Sequence, residues 1–201
     1  ASRGLVLSFF GKSSHASQPE NGHNPARAIS KLIIDIPELT AREDHRGIVM
    51  ATVVCVRIGE EAFGTNAGFG QLMLTIRAEF ESELDALDAE ICARARAYAR
   101  QDGITNVEVQ YRDSFPETRN TPDAVAAVRK ARLECGLPEA RWDEPFRSSE
   151  DFGCYTKLTS GALFYIGCGT HHAKLHTREY DFNDEIIEPA VDMMFRLAQD
   201  A

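Results

Sequence analysis

Three stretches of this chain carry side chains able to do chemistry. In the first, Gly167-Cys168-Gly169-Thr170-His171-His172-Ala173-Lys174-Leu175-His176, a glycine-containing turn runs into a Leu-His pair, and Tyr180-Asp181-Phe182-Asn183-Asp184-Glu185 follows as an acidic helix start. A loop of this kind sets one imidazole at the floor of a cleft, so His176 is the first lead to function. The other two are Ser13-Ser14-His15-Ala16-Ser17-Gln18-Pro19 and Ser148-Ser149-Glu150-Asp151-Phe152-Gly153, which put polar or ionisable groups on loops or helix starts. Taken singly each is ordinary, because a histidine in a polar loop such as His15 is most often a solvated residue. The spacing from His172 to His176 would suit two ligands on a helix, but the segment reads as a turn, which leaves His171 and His172 solvated. Cys168 has no motif-linked base and is not a nucleophile.

Positioning elements can be read from the periodicities. Leu5 to Phe10 is dense in strand formers and breaks at Gly11 into a polar loop lasting to Asn24. Asn24 before Pro25 is an N-cap with proline at the first helical position; Ile29, Leu32, Ile33 and Ile36 then recur at helical spacing, and the helix is expected to end near Pro37. Ile48 to Ile58 reads as a buried strand. Gln71 to Phe80 reads as another, with Leu72, Leu74 and Ile76 on one face and Met73, Thr75 and Arg77 on the other. Leu84, Leu87, Ile91, Ala95 and Tyr98 mark a second helix stopping at Gly103, and Val107 to Tyr111 a last strand. The order β-α-β-β-α-β predicts an α+β, ferredoxin-like unit over residues 1 to about 112, with two helices on one face of a four-stranded antiparallel sheet.

The texture changes after Phe115-Pro116. Thr121-Pro122 caps a helix to about Cys135, Ser149 is placed to cap a short helix through Phe152 and Tyr155, and Ala162 to Ile166 reads as a buried strand. A final helix starts at Asn183 with an apolar stripe of Ile187, Ala190, Val191, Met194 and Leu197. One parallel strand needs sheet neighbours that residues 113 to 201 do not supply, so this half reads as a partial α/β domain.

Composition narrows the function classes. With 43% hydrophobic and 26% charged residues the 201-residue chain is of folded, soluble type, and it has room for two modest cores. Its net charge of −9 repels phosphate backbones, which disfavours a nucleic-acid partner. No apolar run approaches the roughly 20 residues that span a bilayer, and no secretory pattern opens the chain, so no membrane partner and a cytoplasmic location are expected. Five widely spaced cysteines without a Cys-x-x-Cys pair suggest free thiols, not a disulfide framework or a thiolate zinc site.

In this order, the three stretches and the intervening β-α-β-β-α-β unit resemble the dinuclear-zinc aminoacylase, hippurate hydrolase and carboxypeptidase G group, the M20 amidohydrolases, over nearly the whole chain. The signature is Gly11-x-x-x-His15-Ala16-Ser17-x-Pro19-x-x-Gly22-x-Asn24-Pro25, then Ser149-Glu150-Asp151-Phe152, then Leu175-His176 with Tyr180 to Glu185. The resemblance implies a ferredoxin-like lid and dimerisation domain over residues 1–112, followed over 113–201 by the C-terminal portion of the catalytic domain. It also implies hydrolysis of the amide of an N-acyl amino acid or small peptide by a water bridging two divalent metal ions: zinc, with cobalt or manganese as alternatives. His176 would be a metal ligand. His15 would be catalytic, reaching into the partner's cleft of a homodimer to stabilise the oxyanion. Asn66 and Arg77 would clamp the substrate carboxylate, although Asn66-Ala67-Gly68-Phe69-Gly70 is short for the family and lacks its proline. Gly169 would offer backbone N–H groups to the substrate or simply form a tight turn, and Glu150 would stand beside the substrate site.

The family's first metal-binding half, with its His-x-Asp motif and Glu-Glu pair, has no counterpart before Ser8. Since a catalytic zinc takes about three protein ligands, this chain alone is expected to be inactive and to hold metal weakly or not at all. An uncovered half-domain should also bare apolar surface, with self-association or disorder in parts of residues 113 to 201. The alternative is a non-catalytic dimerisation or binding module. An RNA-binding sheet of the same topology is disfavoured by Met73, Thr75 and Arg77 on the open strand face and by the negative charge.

Overall fold

Leu5, Leu7 and Phe9 alternate along the first strand, and a period of two puts all three on one buried face. The computed structural model describes residues 1–140, 142 and 144–199. They fall into two units, Ala1–Glu117 with Pro145–Glu150, and Thr118–Glu144 with Asp151–Ala201.

In the first unit the elements run β1 (Ser2–Phe10), β2 (Ser14–His15), α1 (Ala26–Thr40), β3 (Val49–Ile58), β4 (Thr65–Asn66), β5 (Phe69–Ala78), α2 (Glu81–Gln101) and β6 (Asn106–Phe115). Four of the strands form one sheet in the order β3-β5-β1-β6, every neighbour antiparallel. Leu72, Leu74 and Ile76 of β5 join Leu5, Leu7 and Phe9 beneath Ile29 and Leu32 of α1 and Leu84 and Ile91 of α2, and all are essentially inaccessible to solvent. The opposite sheet face carries Met73, Thr75 and Arg77, as the alternation predicts.

Two details depart from the sequence reading. Helix α1 continues past Pro37 to Thr40, because a proline near the end forfeits a single backbone bond while Leu39, 1% exposed, anchors the extra turn. β3 is an edge strand, not a buried one: it pairs only with β5, its register shifts between Val53 and Cys55, and Val54 is 63% exposed.

The second unit holds α3 (Pro122–Glu134), α4 (Gly153–Thr156) and α5 (Ile187–Gln199). The stretch 162–166 forms no strand. Without sheet neighbours its backbone is met instead by Asn120, whose side chain accepts from the Leu163 N–H and donates to the Leu163 carbonyl, both at 2.9 Å. Asn183 accepts from the Glu185 N–H and so opens the final helical segment as expected. The apolar stripe of α5 lies outward, with Ile187, Val191 and Met194 about half exposed or more, and Met193 is the buried residue. Ser149 does not cap α4, since its hydroxyl is engaged within the first unit.

The α3 N-terminus is tied by a hydroxyl chain. Ser160 donates to Asp123 at 2.5 Å and lies 2.6 Å from the Thr121 hydroxyl. These bonds, Ser160's first, hold the Asp123 carboxyl down to about 2. A depressed carboxyl stabilises the fold above its unfolded value near about 4 and loses that contribution as pH falls through about 2. Ser160→Ala is expected to move the Asp123 titration up, read by NMR; an unmoved titration contradicts the assignment. Leu7→Ala should cost about 2–5 kcal/mol in urea unfolding, against less than about 0.5 kcal/mol for Val54→Ala.

Candidate active-site elements

His15 lies in β2, which forms a two-residue antiparallel ladder with β4 from far along the chain: His15 pairs with Thr65 and Ser14 with Asn66. The Ala16 N–H donates to the Gly64 carbonyl at 2.9 Å and the Gln18 N–H to the His15 carbonyl at 2.9 Å, so both flanks of His15 are fixed by backbone. Its ring is exposed, with Nδ1 2.7 Å from the Ser17 hydroxyl and accepting the Ser17 backbone N–H at 3.1 Å. A backbone N–H can only donate. Nδ1 therefore carries no proton in the neutral ring, and the Nε2–H is offered outward.

A polar chain joins this ladder to α1. Asn24 accepts the N–H of Ala26, the first residue of α1, at 2.8 Å; the residue that caps the helix is Pro25, one position later than the sequence reading placed it, and Asn24 Nδ2 donates to Asn66 Oδ1 at 2.8 Å. Asn66 Nδ2 donates in turn to the Ser14 hydroxyl at 3.0 Å and lies 3.5 Å from the Pro19 carbonyl. The glycines of the motif clear space for it. A Cβ on Gly22 would stand 2.7 Å from Asn66 Nδ2, the Lys12 carbonyl and the Ser14 hydroxyl, and one on Gly11 would stand 1.9 Å from the His23 carbonyl. Any side chain at either position would push this segment out of place.

Arg77 emerges from the open face of β5. Its Nη1 donates to the Ser149 hydroxyl at 2.8 Å and to the Arg147 carbonyl at 3.0 Å, so this unit brings Arg77 and the Ser148-Ser149-Glu150 run together. Among the described residues the other guanidinium nitrogens have no partner, which leaves an edge of the fork for an anion. The cavity beside Arg77, Ser148 and Ser149 holds only about 30 Å³, room for a water and not for a substrate. Glu150 is exposed.

In the second unit His176 stands in a turn with φ 65, a left-handed conformation unusual for a residue with a side chain. The turn is closed by Thr177, whose hydroxyl donates to the Lys174 carbonyl at 2.8 Å. Gly169 takes φ 99 with nothing within 4 Å of a built Cβ, so its backbone conformation, not crowding, calls for glycine. Asn183 Nδ2 reaches the Cys168 carbonyl at 3.3 Å and joins this turn to the start of the last helical segment. His171, His172 and His176 are all exposed. A cleft of about 880 Å³ in this unit, walled by Val125, Val128, Leu163 and Met193, is lined by none of the six predicted site residues.

Among the described residues no three His, Cys, Asp or Glu side chains converge as a metal site. His176 by itself does not fit a dinuclear centre. Cys92 is no candidate nucleophile, since burial and the neighbouring Asp88 push its thiol up to about 12. Ser14 and Ser17 have no role in the sequence reading, and Ser149, read there as a helix cap, instead accepts from Arg77. The signal for Ser17, two residues beyond a loop histidine, is too common to single it out.

A sequence model described as peptidase family M20/M25/M40 matches residues 13–200. The chain is 27% identical over 198 residues to N-acetyldiaminopimelate deacetylase of Bacillus licheniformis, covering 94% of this chain and 50% of that protein. It is 22% identical over 195 residues to hippurate hydrolase of Campylobacter jejuni, covering 96% and 50%. The chain thus spans about half the length of the curated relatives it matches. Among solved structures it superposes on a putative aminohydrolase from methicillin-resistant Staphylococcus aureus with TM-score 0.78 at 18% identity, covering 99% of this chain and 52% of that one. It superposes on a dinuclear metal-binding M20 peptidase of Bacillus subtilis with TM-score 0.72 at 16% identity, covering 98% and 48%. At such identities these superpositions speak for the fold alone.

The His15 geometry is open to direct measurement. Nitrogen-15 NMR of the neutral ring is expected to find Nδ1 unprotonated in His15, and the reverse in His172, whose Nδ1 donates to the Ala173 carbonyl at 2.9 Å. A proton on His15 Nδ1 would overturn the assignment.

Proposed function

The chain belongs to peptidase family M20/M25/M40, and from that premise we propose that it forms the ferredoxin-like lid and the C-terminal part of the catalytic domain of a metal-dependent amidohydrolase. The reaction is hydrolysis of the amide bond of an N-acyl amino acid or small peptide. The observation that carries this reading is the β2–β4 ladder that holds His15: a backbone-fixed imidazole whose outward nitrogen bears the proton. A pre-set donor of this kind suits the oxyanion of a tetrahedral intermediate, and removing such a donor costs about 10²–10³ in turnover.

Arg77 would take the substrate carboxylate on the edge of its guanidinium not held by Ser149. His176 would give one metal ligand, Gly169 would offer its backbone, and Glu150 would stand nearby. Bound metals in such an enzyme polarise the carbonyl and acidify water. Their remaining ligands would lie outside these 201 residues, so the chain alone should not turn over substrate. The relatives' length supports this reading, since the chain matches only half of each.

The lid would pair with a second copy and present His15 to the partner's cleft. The open edge of β3, with Val54 exposed, supports a pairing surface and equally suits the alternative of a non-catalytic dimerisation module. Among the described residues no helix is long and apolar enough to cross a membrane, and a cytoplasmic enzyme remains our reading.

Complementation separates the two. In the whole protein, His15→Ala is expected to lower hydrolysis of N-acyl amino acids by about 10²–10³ and His176→Ala to abolish it, and mixing the two dimers should restore up to about a quarter of the activity through hybrids with one intact site. No recovery on mixing would rule out action in trans. No hydrolysis by the parent protein supplied with zinc or cobalt would favour the dimerisation module.

A further inference from the structure

We propose that Asn66 is a positioning residue for His15, acting with Asn24 and Ser14, and does not itself bind the substrate carboxylate; the functional meaning rests on the amidohydrolase reading of His15. The argument turns on the direction of each hydrogen bond. The Ala26 N–H can only donate, so the oxygen of Asn24 must face it and the Asn24 amide nitrogen must face Asn66. Asn66 then has to meet that nitrogen with its oxygen, which turns its own amide nitrogen toward the Ser14 hydroxyl. One N–H at the start of α1 thereby sets the orientation of two side-chain amides, and the last of them grips the residue before His15.

Asn66 has little left to give. Its oxygen is taken by Asn24, one amide hydrogen by Ser14, and the nitrogen also lies 3.5 Å from the Pro19 carbonyl. Gly22 packs so closely that even a Cβ there would stand 2.7 Å from the same nitrogen. A substrate carboxylate, which can only accept, would have to break the relay to reach this amide. Arg77, with part of its fork unpartnered among the described residues, needs no such sacrifice. The pairing of Ser14 with Asn66 and of His15 with Thr65 makes the consequence local: loosening Asn66 frees the two-residue ladder that holds the imidazole.

Substitution by a carboxylate tells the two roles apart. Asn66→Asp can accept from Asn24 on one oxygen and from the Ser14 hydroxyl on the other, so the relay survives with its last bond reversed. Asn66→Leu has neither bond. In the whole protein we expect Asn66→Asp to keep KM within about twofold and a higher kcat than Asn66→Leu, which should lose about tenfold or more in kcat at nearly constant KM. A rise of more than about tenfold in KM for Asn66→Asp, from like charges meeting, would make Asn66 a substrate ligand and overturn the proposal. Hydrogen exchange in the 201-residue chain decides the relay independently of turnover. Protection of the Ala16 amide, bonded to the Gly64 carbonyl, should persist in Asn66→Asp and fall in Asn66→Leu. Equal protection in all three proteins would contradict the relay. A parent enzyme inactive on N-acyl amino acids would instead sink the amidohydrolase reading, while the exchange pattern still judged the relay.

Discussion

The hydrogen bond from the Ala26 N–H to the Asn24 side chain is the contact from which the placement of His15 follows. It satisfies an exposed donor at the start of α1, as a helix requires, and by doing so it commits the Asn24 amide to one orientation. Asn66, Ser14 and the ladder that holds His15 inherit that orientation in turn. Helix α1 is in its own right pinned by Ile29, Leu32, Ile36 and Leu39 in the core of the first unit. The imidazole on an exposed loop thus has its place set by a buried hydrophobic stripe, through a chain of polar contacts with one permitted direction.

That dependence explains the spacing of the motif. Gly11 and Gly22 permit backbone approaches that no side chain would allow, and Asn24 holds the Ala26 N–H and relays at once. Ser17 reaches back to the ring of His15 with both its hydroxyl and its N–H. A loop that reads as polar filler is a scaffold whose members each answer a specific hydrogen-bonding or packing demand.

The periodicities of Leu72, Leu74 and Ile76, and of Leu84, Leu87, Ile91 and Ala95, were enough to lay out the sheet and its two helices, because each stripe has its full set of neighbours in the first unit. Periodicity failed where neighbours were missing. Ala162 to Ile166 has the composition of a central strand, but among the described residues no strand pairs with it, and Asn120 meets the backbone of Leu163 instead. The stripe of α5 is apolar as read, yet Val191 and Met194 remain exposed. Site residues were legible as types and not as partnerships. His15 stood out by motif, whereas the bonds that occupy Asn66 depend on two loops separated by more than forty positions and leave no local trace.

What the chain offers to chemistry is therefore a donor, a guanidinium edge and a histidine in a left-handed turn, all on a framework whose relatives are about twice as long. A structure of the whole protein with zinc and a phosphinate mimic of the tetrahedral intermediate tests that account most directly. It should show the Nε2 of His15 from one subunit at about 2.7–3.1 Å from the oxyanion-like oxygen in the other subunit's cleft. An inhibitor oxygen bound with His15 left in solvent, or reached only by groups of its own subunit, would contradict it.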